Sequence, residues 1–149
     1  RQLYPDIKED MFISMAYAIL DHTQGTVTLC RAGHDAPIVY HSETRTAAPV
    51  KPPGMVVGID SGSVFDRITG DFPLPLKRND CLLLYTDGVT EALDANGDEF
   101  GPNRMIECVQ TSAPEGAPAI ITRIIDELRA FVGAQPQNDD ITLIAIRKT

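Results

Sequence analysis

A carboxylate follows the most apolar segment of the chain. Cys81–Tyr85 reads Cys-Leu-Leu-Leu-Tyr, which is typical of a central strand buried on both faces, and Asp87 and Gly88 come shortly after it. An unpaired carboxylate buried there would cost several kcal/mol or shift its pKa, so we expect Asp87 to face a cleft. Gly88 allows a close backbone approach. Asp87 could therefore hold a hard cation, although an Asp-Gly pair is also common in turns.

A second acidic pair precedes the last apolar run. Asp139 and Asp140 stand directly before residues 141–146, which we predict to be a strand. If that strand lies beside Cys81–Tyr85, one of the two carboxylates comes close to Asp87. Converging carboxylates repel each other, and a cation would offset that repulsion. If the strands are not neighbours, the pair simply points into solvent from a loop.

A histidine is the third candidate for chemistry. His34 lies in the run Ala-Gly-His-Asp-Ala-Pro at 32–37, just after a predicted strand. A neutral imidazole could hydrogen-bond a phosphate or a metal-bound water. A lone histidine is more often structural, and both interpretations stay open at this point.

The elements that must position these residues are strands first and helices later. Alternating or apolar patterns predict strands at 11–20, 26–32, 38–40, 64–72, 81–85 and 141–146, with a short apolar run at 55–59 and a Pro-rich loop at 42–54. A helix is predicted after Gly101, with Pro102 at its first position, and a second helix at Ala117–Val132, ended by Gly133. Neighbouring antiparallel strands and helices segregated along the chain predict an α+β fold.

Composition excludes several classes of protein. The chain has 149 residues and a net charge of −8, which disfavours nucleic acid and anionic membranes as partners. No segment approaches the roughly 20 apolar residues of a membrane span, and the first ten residues lack a signal peptide's apolar core. Three scattered cysteines fit neither a disulfide framework nor a zinc site, so we expect free thiols in a reducing cytoplasm.

At its motifs the chain resembles the PP2C-type (PPM) serine/threonine phosphatases, in particular the bacterial sporulation and stress-response regulators. The phrases that carry the resemblance occur in the family's order, at 10–15, 32–37, 80–92, 100–101 and 139–142. They span nearly the whole chain.

The resemblance implies a partial PP2C-like α/β/β/α sandwich of mostly antiparallel strands. It implies two Mg²⁺ or Mn²⁺ ions that activate water to hydrolyse phosphoserine or phosphothreonine on a regulatory protein, typically a phosphorylated anti-sigma-factor antagonist. The positions implied at the metals are Asp87 and Asp139, with Gly88 beside them and Asp140 weighted lower. His34 and Glu91 match motif positions of a supporting kind.

One part of the family pattern has no match. The strand with the metal-bridging Asp-Gly pair and the Gly-His-Gly helix start of the family's first half are not found here. We therefore expect residues 1–149 to form a single domain that is the C-terminal portion of a PP2C-like domain, inactive or weakly active in isolation. An upstream sensor or receiver domain is expected in the parent chain. An exposed sheet edge or face could drive self-association into a homodimer.

Two other functions fit parts of the sequence. A haloacid-dehalogenase-type phosphotransferase would need an aspartate at the position of Tyr85, two residues before Asp87. The second alternative is a non-catalytic regulatory or scaffold module built on the phosphatase fold.

Overall fold

The computed structural model describes residues 4–7 and 11–149, so Asp10, the first residue of the motif at 10–15, lies outside the described residues. The chain forms two compact units, Arg1–Ala36 with Lys51–Pro75 (unit 1) and Pro37–Val50 with Leu76–Thr149 (unit 2). In chain order the elements are β1 (Met15–Asp21), β2 (Thr26–Ala32), β3 (Ile38–His41), β4 (Thr46–Pro49), α1 (Phe65–Ile68), β5 (Phe72–Leu74), β6 (Cys81–Tyr85), α2 (Asp87–Thr90), α3 (Gly101–Ser112), a 3-10 turn (Ala113–Glu115), α4 (Ala117–Val132) and β7 (Leu143–Arg147).

Unit 1 contains a three-stranded antiparallel sheet in the order β1-β2-β5. The first two strands form an antiparallel hairpin, in which Asp21 pairs with Thr26. Asp21 Oδ1 accepts hydrogen bonds from the amides of Thr23 and Gln24, which closes the connection. β2 has the predicted bounds, whereas β1 begins at Met15, later than the predicted start at residue 11.

The strand predicted at 64–72 is wrong over most of its length. Phe65–Ile68 is a short helix, and only Phe72–Leu74 is a strand. Asp60 Oδ1 accepts hydrogen bonds from the amides of Gly62, Val64 and Phe65, and these amides begin the helical turn. Pro73 fits in β5 because this strand lies at the edge of its sheet.

Unit 2 is built on a four-stranded antiparallel sheet in the order β4-β3-β6-β7. β6 has the predicted bounds, and it is an inner strand whose residues Cys81, Leu82 and Leu83 are fully buried. β4 lies inside the segment predicted to be a loop. Its pairing with β3 supplies hydrogen bonds that the Pro-rich local sequence did not reveal, and Pro49 is tolerated at an edge strand.

Two helices pack together in unit 2 and enclose its core. The predicted helix Ala117–Val132 has the bounds of α4, and Gly133 ends it with a positive φ of 61°. Ile120 and Ile124 of α4 and Met105 and Val109 of α3 are fully buried in one apolar cluster with the sheet. Mixed helices with antiparallel strands confirm the α+β class.

Aromatic contacts join the two helices near the start of α3. The rings of Phe100 and Phe131 meet edge to face with centroids 5.5 Å apart. The guanidinium of Arg104 lies 4.5 Å from the centre of the Phe131 ring and donates to the carbonyls of Glu99 and Phe100. This packing holds the chain just before α3 in place.

One face of the edge strand β1 is apolar and exposed. Met15, Tyr17 and Ile19 alternate along that face and are 46%, 56% and 50% exposed. Exposed apolar residues on an edge strand are typical of protein–protein contacts. The expectation of self-association rests on this face and stays a prediction. No helix in the described ranges is long and apolar enough to cross a membrane.

The three thiols should differ in reactivity. Cys81 and Cys108 are buried, and burial raises the pKa of both thiols, whereas Cys30 is half-buried. Since the thiolate is the reactive form, we expect a maleimide to label Cys30 at least about tenfold faster than the other two. Peptide mapping of the labelled chain by mass spectrometry measures this. Equal labelling of all three cysteines in native protein would contradict the buried positions.

Candidate functional site

The two acidic segments predicted to converge lie at one end of the neighbouring strands β6 and β7 in the unit 2 sheet. β6 and β7 are antiparallel neighbours, with Tyr85 opposite Leu143. The end of β6 and the start of β7 therefore meet, which places Asp87, just after β6, at the same end of the two strands as the Asp139-Asp140 pair. The expectation that the last strand lies beside Cys81–Tyr85 is confirmed.

Hydrogen bonds of Thr86 link the segment after β6 to the segment before β7. Its amide donates to the carbonyl of Thr142 at 3.1 Å, and its Oγ1 accepts from the Thr142 amide at 2.9 Å. The same hydroxyl donates to the carbonyl of Asp140 at 2.8 Å. Thr86 was not singled out from the sequence, because a hydroxyl before an Asp-Gly pair gives no sign of its partner more than fifty residues away.

Gly88 is the closest point of contact between the segments. It is buried in α2, and a Cβ atom added to it would lie 2.5 Å from the carbonyl oxygen of Asp140 and 3.2 Å from the carbonyl carbon of Asp139. Only glycine permits this approach. The backbone partner of Gly88 in this close approach is therefore the acidic pair before β7, and the place of Gly88 at a metal site stays a prediction.

A cavity of about 320 Å³ lies beside Gly88, and we call it the acidic cavity. Its lining includes the carboxylate residues Glu91, Glu99 and Asp139, all of which are exposed, together with Gly88, Leu93 and Asn138. Three negative side chains around one opening create a potential that attracts cations. Asp87 is not part of this lining.

Glu99 reaches the acidic cavity through the loop that precedes α3. Leu93 and Glu99 pair across the base of this loop, and the Phe100 amide donates to the carbonyl of Ala92. Asp94 Oδ1 accepts from the amide of Asp98, and this hydrogen bond lowers the pKa of the Asp94 carboxyl. Glu99 was missed from the sequence, where it is one acid among several in a polar turn.

The carboxylates near Gly88 suit a hard divalent cation in kind. All the donors are oxygen atoms, which Mg²⁺ and Mn²⁺ prefer. However, the ranges described at 4–7 and 11–149 contain no group of three His, Cys, Asp or Glu residues arranged to hold a metal ion. Asp139 Oδ1 is also engaged, since it accepts from the Asp140 amide at 2.7 Å. These carboxylates have the donor chemistry for such a cation, but the residues that the structure describes do not by themselves form a metal site.

His34 belongs to unit 1, and its surroundings are those of a structural residue. Its carbonyl accepts a hydrogen bond from the guanidinium of Arg31, and its Nδ1 lies 3.4 Å from the carbonyl of Asp35. The preceding Gly33 has a φ of 74°, and a Cβ atom there would clash with Val56. The supporting role of His34 stays a prediction.

Comparison with known protein families identifies the family of this chain. The family model for stage II sporulation protein E (SpoIIE) matches residues 1–149. The chain belongs to the SpoIIE family. This SpoIIE-family chain is 27% identical over 148 residues to the phosphoserine phosphatase RsbU of Bacillus subtilis, a match that covers 99% of the chain and 42% of RsbU. The chain thus spans less than half the length of that relative.

Solved structures share the fold of this chain. The SiaA-PP2C domain of Pseudomonas aeruginosa superposes with a TM-score of 0.78 at 19% identity, over 99% of this chain and 56% of that one. The phosphatase domain of B. subtilis SpoIIE, presoaked with Mn, has a TM-score of 0.67 at 14% identity, over 91% of this chain and 56% of that one. Likeness at these identities concerns fold, and it confirms the partial PP2C-like architecture.

Proposed function

We propose that this SpoIIE-family chain is the C-terminal part of a PP2C-type domain that hydrolyses phosphoserine or phosphothreonine on a regulatory protein. The observation that carries the proposal is that the Asp87-Gly88 and Asp139-Asp140 segments meet where β6 ends and β7 begins. The similarity to RsbU, a phosphoserine phosphatase, supports the same reaction. The Mn-presoaked phosphatase domain of SpoIIE, which shares the fold, supports the choice of cation.

Each residue of the site has a proposed role in this function. Asp87 and Asp139 would be ligands of two Mg²⁺ or Mn²⁺ ions, and Asp140 would have a smaller part. Gly88 keeps the two ligand segments in contact. Glu91 adds negative potential on the wall of the acidic cavity. The cations, when bound, would supply a water of lowered pKa and hold the phosphoryl oxygens.

The wider setting follows from the same proposal. The substrate would be a small phosphorylated anti-sigma-factor antagonist, and a sensor or receiver domain in the parent chain would control the reaction. The reducing cytoplasm is the proposed compartment, because three cysteines stay free thiols in the structure. Residues outside this chain would complete the set of metal ligands.

Hydrolysis of an aryl phosphate with Mn²⁺ tests the proposal. We expect activity in a longer polypeptide that includes about 100 preceding residues, because the extended chain is then within the usual size range of a single domain. Asp87→Asn should lower this activity at least about 100-fold, because a cation ligand is lost. Asp126→Asn, a matched loss of charge on the exposed surface of α4, should leave it unchanged. Activity that survives Asp87→Asn would refute the ligand role, and inactivity of every protein would favour a regulatory module.

A further inference from the structure

A second cavity of about 330 Å³ adjoins the acidic cavity, and we call it the apolar cavity. It lies between the C-terminal half of α4 and the segment that leads to β7. Its apolar lining comes from Ala92, Ile125, Leu128, Val132 and Ile141. A volume of this size is in the range of pockets that enclose a bound group.

The two cavities share part of their lining. Gly88, Leu93 and Asn138 line both of them. A ligand that fills the apolar cavity therefore lies next to the carboxylates Glu91, Glu99 and Asp139. An extended polypeptide segment can occupy both at once, because it presents different side chains along its length.

One positive charge lies on the wall of the apolar cavity. Arg129 is the single charged residue of its lining, its side chain is exposed, and it forms no ion pair with any residue that the structure describes. By contrast, Arg123 on the same helix is paired with Glu127 at 2.9 Å. The guanidinium of Arg129 is available to bind a carboxylate of a partner.

The charge of the whole chain gives Arg129 particular weight. The chain has a net charge of −8, and the acidic cavity is lined by carboxylates, so an anionic phosphoprotein is repelled before cations bind. A single arginine in an otherwise uncharged apolar cavity offers attraction at one defined point. It can therefore fix the direction in which a partner segment lies.

We propose that the apolar cavity is the docking site of the substrate segment that carries the phosphorylated residue. An apolar side chain of that segment fills the cavity, and an acidic residue close to it binds Arg129. The phosphorylated residue then lies at the acidic cavity. This inference rests on the proposed phosphatase function, and it names the substrate class as a phosphoprotein with an apolar and an acidic residue near its phosphoserine.

Peptide binding to the chain tests this docking site without any need for catalysis. Fluorescein-labelled phosphoserine peptides would carry a leucine and a glutamate on either side of the phosphoserine, in both orders, and anisotropy would be measured in EDTA and in Mn²⁺. Exchanging the glutamate for lysine should weaken binding about tenfold, and exchanging the leucine for serine should weaken it by a similar factor. Arg129→Glu should reverse the preference, so that the lysine peptide binds better.

Arg123→Glu is the matched control, since it makes the same change of charge on the same helix but lies outside the cavity lining. It should keep the preference for glutamate. Binding that ignores the leucine and glutamate, binding that falls equally in both arginine variants, or no binding of any peptide would overturn the docking site. Strengthening by Mn²⁺ depends on the phosphoserine and reports on the proposed function separately, because docking through Arg129 persists in EDTA.

Discussion

In the longer polypeptide that completes the proposed ligand set, Gly88→Ala should lower Mn²⁺ affinity at least tenfold, and it should destabilise the protein by about 1–3 kcal/mol. The added Cβ atom would lie 2.5 Å from the carbonyl oxygen and 3.0 Å from the carbonyl carbon of Asp140, and both atoms are backbone. No side-chain rotation relieves such a contact, so the acidic segment before β7 must move away from α2. Calorimetric titration with Mn²⁺ and urea unfolding measure the two effects.

Gly70→Ala is the control for this substitution. A Cβ atom at Gly70 meets nothing within 4 Å, and Gly70, like Gly88, has no positive φ. Alanine there should be neutral or stabilise the chain by about 0.4–1 kcal/mol through the unfolded state. If Gly88→Ala matched Gly70→Ala in both stability and Mn²⁺ affinity, the close packing of the two acidic segments would be wrong.

Asp80→Ala should be the most destabilising single substitution of a charged residue in unit 2, at about 3 kcal/mol. Asp80 is 1% exposed, and its carboxylate accepts hydrogen bonds from the Ser42 amide and hydroxyl and from the Lys77 amide, while His41 Nδ1 lies 3.4 Å away. Alanine leaves these donors without their acceptor. Chemical unfolding measures the loss, and Asp126→Asn on exposed α4 should change stability by less than about 0.5 kcal/mol.

The same carboxylate should make stability depend on acid pH. Burial by itself raises the pKa of Asp80, but the hydrogen bonds from Ser42, Lys77 and His41 outweigh burial, so the pKa lies below the usual value of 3.8. A lowered folded-state pKa stabilises the protein above the unfolded-state value, and that contribution is lost as pH falls through the folded-state value. Below about pH 4, wild type should lose stability more steeply than Asp80→Asn. Parallel pH profiles of the two proteins would contradict this role.

Several elements could be predicted from local sequence because short-range patterns decide them. β2, β6 and α4 have the predicted bounds, since alternation, a continuous apolar run and a 3.6-residue period each identify one kind of element. The prediction of a strand at 64–72 was wrong because the carboxylate of Asp60 accepts hydrogen bonds from amides that begin a helical turn. The alternation of apolar and polar residues gives no information about these hydrogen bonds. β4 was missed because its partner strand, not its own composition, stabilises it.

In the candidate site too, local sequence predicts the residue types, whereas the tertiary structure decides which of them come together. The sequence by itself determined which residues have the chemistry for a cation, Asp87, Asp139 and Asp140, because a carboxylate next to a buried strand is recognisable locally. Only the tertiary structure decided that their segments meet, since the pairing of β6 with β7 joins residues more than fifty positions apart. It also brought Glu99 to the acidic cavity and Arg129 to the apolar one. Those placements depend on long-range packing, which the periodicity of the sequence does not predict.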